Sequence, residues 1–138
     1  MLLDVLFERD AAPHCEPVPI ATPFIATERE VRVAVPTVEA LLGDKLSAFA
    51  PRTIGILHHP ERKTDIAKQF FDVAALFDAA TDLDVAAAVY AVVHARQLVY
   101  RNAGYSLADT LNDSIEAGLF YSQIDLRGGV VTEHGQFL

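Results

Sequence analysis

Cysteine is almost missing, with Cys15 alone among 138 residues. That excludes an internal disulfide and a thiolate zinc cluster, so stability must come from burial. Positive charge is scarce as well: eleven Lys and Arg stand against nineteen Asp and Glu, a formal charge of −8. A dedicated nucleic-acid coat protein needs a strong positive excess to displace counterions, which disfavours that class and leaves room only for a local basic groove. Long apolar runs are absent too. The longest, Val85 to Val93, is half a membrane span and gives way to His94 and Arg96. No basic segment leads into a long apolar one near the start, so no secretory leader is expected. The reading is a cytoplasmic protein with no membrane partner.

Apolar residues are plentiful. They make up 51% of the chain, enough for one packed domain. The chain opens with Leu2-Leu3-Asp4-Val5-Leu6-Phe7, which reads as a core strand over residues 2–8. Termini are usually exposed, so a start inside a strand is the pattern of a piece of something longer. Residues 11–23 hold four of the seven prolines and are expected to form a loop or an irregular edge. A second strand is expected over residues 30–35, where Val31, Val33 and Val35 alternate with Glu30, Arg32 and Ala34.

Four helices should follow. Thr37 is placed to cap the first, with Glu39 in its first turn and Pro51 stopping it after about Ala50. The second runs from about Thr64 to Ala79 on an apolar stripe of Ile66, Phe70, Val73 and Phe77. Thr81 with Asp84 has capping-box spacing for a third helix ending at Gly104, and Ser106 with Asp109 repeats it for a fourth ending near Gly118. Two strands followed by about four helices make an α+β arrangement.

Charged residues on apolar faces carry the chemical information. Lys45 follows Leu41 by four and precedes Phe49 by four, so its helix aims it along its own apolar stripe. There it either snorkels to the rim or holds its charge against an anion. Asp4 sits amid an apolar strand, as a metal-binding carboxylate facing a cleft or as an edge residue facing water. Asp65 and Asp72 share one face of the second helix with Lys68 between them, a spacing that also suits a solvated, salt-bridged face. His58 and His59 are adjacent in a loop without a third ligand, which favours an exposed loop over a metal site. Tyr90, His94, Gln97 and Arg101 follow at helical spacing, by default a solvent-facing strip. Gly128-Gly129 lacks the strand and helix of a phosphate loop.

Three segments taken together resemble a known family. They are Glu39-Ala40-Leu41-Leu42-Gly43-Asp44-Lys45-Leu46-Ser47-Ala48-Phe49-Ala50-Pro51, Thr53-Ile54-Gly55-Ile56 and Lys68-Gln69-Phe70-Phe71-Asp72-Val73. They look like the C-terminal motifs of the AbiEii/AbiGii-type abortive-infection toxins, nucleotidyltransferases of the polymerase-beta superfamily. The likeness covers residues 36–78 well, and extends loosely to Asp4 and to Asp109-Thr110-Leu111-Asn112.

The resemblance implies roles. Lys45 would contact the triphosphate of an NTP, Asp72 would be the late acidic residue of the site with Asp65 the alternative, and Lys68 an auxiliary phosphate or RNA contact. Asp4 would face a magnesium ion. Residues 1–35 would be remnant strands of the nucleotidyltransferase sheet and residues 36–138 the helical, nucleotide-holding half of one structural unit. The acceptor implied is the 3′ end of a tRNA, and an antitoxin is an implied partner. The family's first motif, a Gly-Ser turn followed by paired acidic residues, does not occur in this chain. Because those residues supply most metal ligands, the chain alone is expected to be inactive. The alternative is a non-catalytic interaction module, with a sheet edge open to strand addition and homo-oligomer formation.

Overall fold

A computed structural model describes residues 13–24, 28–57 and 59–122. The expected strand at 2–8 with Asp4, His58, and the glycine pair Gly128-Gly129 lie outside the described residues. The order is β1 (Cys15–Pro19), β2 (Arg32–Pro36), α1 (Val38–Ala48), a short 3-10 turn (Pro60–Arg62), α2 (Lys63–Ala79), α3 (Leu83–Arg101) and α4 (Leu107–Ser122). The architecture is α+β, a two-stranded antiparallel sheet followed by four helices. Two compact units divide the chain, Met1–Thr37 and Val38–Leu138.

In the first unit, the proline-rich stretch expected as a loop or irregular edge forms a regular strand. β1 pairs with β2 in a register that sets Cys15 opposite Pro36, Val18 opposite Val33 and Pro19 opposite Arg32. Ile20 donates to the Val31 carbonyl and Thr37 to the His14 carbonyl, so even positions of β1 carry the ladder bonds. Pro17, Pro19 and Pro36 all fall on the alternate positions, where a missing N–H costs no bond between the two strands.

In the second unit, α1 packs chiefly on α3 and also on α2. Its buried face toward α3 is a row of small residues, including Ala40, Gly43 and Ser47. A Cβ at Gly43 would lie 2.5 Å from the Ala86 carbonyl oxygen and 2.9 Å from Val89 Cβ, so the helices approach as closely as they do only because glycine stands there. The turn after α1 needs a second glycine. A Cβ at Gly55 would sit 2.4 Å from the Ala48 carbonyl, which accepts from Ile56 at 2.9 Å to close the turn.

The helix ends show how local chemistry was redistributed. Asp82, not Thr81, caps α3, its carboxylate accepting from Asp84 N–H at 3.0 Å and Val85 N–H at 3.3 Å. Thr81 is engaged elsewhere: its N–H and its hydroxyl both donate to Glu39 of α1, each at 3.1 Å. α3 ends at Arg101 because Asn102 takes the left-handed conformation (φ 51°, ψ 45°), two residues before the expected Gly104. The Ser106–Asp109 box at the start of α4 is present with Asp in the place usually held by Glu. Asp109 N–H donates to the Ser106 hydroxyl at 3.1 Å, and Ser106 N–H to the Asp109 carboxylate at 2.9 Å. Gly118 does not stop α4, which continues to Ser122.

Candidate functional site

Lys45 and Asp72 meet across the α1–α2 contact, with Nζ 3.2 Å from Oδ2 and side chains 29% and 26% exposed. Of the two positions open to Lys45, rim or anion, the structure realises the second, half-buried and paired. The ammonium has three N–H donors and the single carboxylate oxygen engages one.

Asp65 does not join them. Seven residues along a helix place it on the same angular face but about 10 Å further along the axis. There it is exposed and lies 3.6 Å from the Arg62 guanidinium. Lys68 is exposed and makes no ion pair among the described residues. Gln69, one turn before Asp72, has a buried Oε1 with no hydrogen-bond partner among the described residues, a feature its sequence position does not signal.

A buried polar seam joins α3, α4 and the turn after α1. Tyr90 and His94, expected on a solvent-facing strip, are both buried, while Arg101 at the far end is exposed. His94 Nε2 lies 3.1 Å from the hydroxyl of the fully buried Thr110, and that hydroxyl donates to the Ser106 carbonyl at 3.2 Å. With the hydroxyl proton so used, Nε2–H of His94 is the donor to the oxygen.

Asp113 is the residue that the sequence did not single out. It is buried, and its Oδ2 accepts from Arg52 N–H and from the Thr53 hydroxyl, both at 2.8 Å. The Arg52 guanidinium pairs with Glu116 on the same helix. Together these bonds fasten the Pro51–Gly55 turn to α4. The only local signal would have been the position of Asp113 one turn after Thr110 on α4. Phe49, Phe70 and Tyr121 complete the closure as a triangle of rings with centroids 5.8 Å apart. Burial pushes the Tyr121 phenol up to about 12.

The apolar stripe of α2 is only partly covered. Phe70, Val73 and Phe77 face Leu46, Phe49 and Ile115 across an open groove of about 410 Å³. Among the described residues, no three His, Cys, Asp or Glu side chains converge as ligands for a metal ion. No helix among them is long and apolar enough to cross a membrane.

Residues 1–126 match the family model described as nucleotidyl transferase AbiEii toxin, type IV TA system. No curated protein and no solved structure matches the chain.

Proposed function

The chain belongs to the AbiEii nucleotidyl transferase toxin family, and from that membership we propose that Val38–Ser122 forms the nucleotide-holding part of its site. The observation that carries this reading is the half-buried Lys45–Asp72 pair, which joins two of the family-like segments across an interhelical contact. Lys45 neutralises phosphate charge of a bound NTP through the donors that Asp72 leaves unused. Asp72 holds the ammonium in place, so the charge is positioned before the nucleotide arrives. The acidic slot goes to Asp72 rather than Asp65, whose carboxylate lies exposed beside Arg62. Lys68 offers a more exposed phosphate contact one turn away.

Magnesium is the cofactor this chemistry implies. The described residues do not fit it by themselves: Asp72 is engaged by Lys45, and no three-ligand cluster forms among them. Asp4, outside the described residues, is the magnesium-facing carboxylate that the resemblance implies. We therefore read the chain as inactive or nearly so in transfer on its own, in a cytoplasmic setting. The acceptor that the family resemblance implies is the 3′ end of a tRNA, and the partner an antitoxin. The test is magnesium-dependent ATP, GTP, CTP and UTP binding by calorimetry, with Lys45→Ala expected to weaken the preferred nucleotide at least tenfold. Unchanged binding would remove Lys45 from the site, and robust transfer by the purified 138-residue chain, abolished by Lys45→Ala, would refute the inactivity.

A second reading, a non-catalytic interaction module, has one observation in its favour. Every residue of β1 and the first three of β2 are exposed, and the outward positions of β2 at Arg32 and Ala34 keep their N–H groups.

A further inference from the structure

The connection from α1 to α2 and the last residue of α3 together line a second pocket of about 360 Å³. Its walls are Gly55, Ile56, Leu57, His59, Arg62 and Arg101. None of these residues belongs to the Lys45–Asp72 pair. In a chain with nineteen acidic and eleven basic residues, this lining holds, among the described residues, two guanidinium groups and an imidazole and no carboxylate.

The polar side chains lining this pocket are chiefly donors. Arg101 donates from Nε to the Gln97 side-chain Oε1 at a long 3.4 Å, and its remaining N–H groups are not spent in that bond. Arg62 has Asp65 at 3.6 Å from one terminal nitrogen, beyond hydrogen-bond range for a charged pair. His59 Nδ1 accepts the Glu61 N–H at 3.3 Å, with the Glu61 carboxylate at 3.9 Å, so in the neutral ring Nε2 carries the proton. Arg62 keeps Asp65 as its ion-pair partner, and both arginines offer further N–H donors to an anion in the cavity they line. Paired planar guanidinium forks match a tetrahedral, multi-oxygen anion better than a point charge does. The volume exceeds that of a bare inorganic ion and leaves room for the sugar to which it is attached.

We infer that the Arg62–Arg101 pocket is a phosphate-binding site, separate from Lys45, for the phosphate of a nucleotide-bearing ligand. Two sources share that chemistry, the phosphodiester backbone of an RNA strand and the phosphate tail of a free nucleotide. The inference stands on the pocket's own residues and does not require the Lys45 reading to hold.

The test measures binding of a fluorescent single-stranded 12-nucleotide RNA by anisotropy across a salt series, and of ATP by calorimetry, with the full chain. Arg62→Ala/Arg101→Ala is expected to weaken one probe at least tenfold. For RNA, the slope of log affinity against log salt should fall by about 1.4, two phosphate contacts at about 0.7 each on a single strand. Loss confined to RNA assigns the pocket to a polynucleotide backbone; loss confined to ATP assigns it to the nucleotide tail. Arg62→Lys/Arg101→Lys should keep the salt slope, a result that a merely structural role would not give. Unchanged affinity for both probes, or no binding of either by the unmutated chain, overturns the inference. Lys45→Ala run in parallel separates the two sites, since it should move ATP and leave the RNA salt slope as it was.

Discussion

The hydroxyl of Tyr90 is buried with no hydrogen bond among the described residues. Its phenol is pushed up to about 12, first by burial; the nearby Ser114 hydroxyl pulls it part of the way back without reaching bonding geometry, and the charge of Asp113 adds to the rise. A phenol whose folded value lies above its unfolded value of 10.0 contributes stability that is complete below pH 10 and is lost as pH rises toward 12. Tyr121, raised to about 12 by burial, acts in the same window and the same direction. Thermal melts by circular dichroism should therefore show the midpoint falling between pH 10 and 12. Tyr90→Phe should lessen that fall and change stability at pH 7 by no more than about 1 kcal/mol, because an unpaired buried hydroxyl contributes little. A loss well beyond that at pH 7 would mean that the hydroxyl has a partner.

α1 determines how closely the helices of the second unit approach. Gly43 is unfavourable for helix formation by about 1 kcal/mol relative to Ala, yet a Cβ there would press on the Ala86 carbonyl and Val89. The close approach decides the sign. Gly43→Ala should destabilise the fold by about 1–3 kcal/mol, the range for overpacked interiors, when measured by urea unfolding. A gain in stability would show that α3 yields without strain. The same helix explains why Thr81 does not cap α3. The Thr81–Asp84 spacing is a local signal, whereas the Glu39 carboxylate that occupies Thr81 comes from 42 residues away. Where both partners lie within one turn, as in Ser106 and Asp109, local reading suffices: the hydroxyl and backbone bonds from Ser106 also hold the Asp109 carboxyl below its usual range.

For the whole molecule, the open question of function is whether surfaces left uncovered are used. The proline positions of β1 remove two outward N–H groups, so strand addition there is blunted, and among the described residues β2 is the strand edge that remains competent. The interaction-module reading thus predicts a sedimenting mass that rises with concentration and returns to the monomer in Ala34→Pro. A monomer at every concentration would exclude association through this edge and favour the nucleotide-site reading.

The sequence by itself determined the α+β layout, the order of the four helices and the apolar stripe of α2, because periodicity and capping depend on neighbours within a few residues. It also marked Lys45 and Asp72 individually, as charges at odds with their helical faces or as members of family-like segments. Tertiary structure decided the rest. Lys45 meets Asp72 and not Asp65, which lies about 10 Å further along α2 and pairs with Arg62. Asp113 became a buried acceptor because the Pro51–Gly55 turn, sixty residues away in the chain, brings Arg52 N–H and the Thr53 hydroxyl to it. Arg62 and Arg101 face one cavity because α3 ends beside the α1–α2 connection. Each of these joins residues far apart in the chain, and spacing within a single helix or strand cannot encode such a contact.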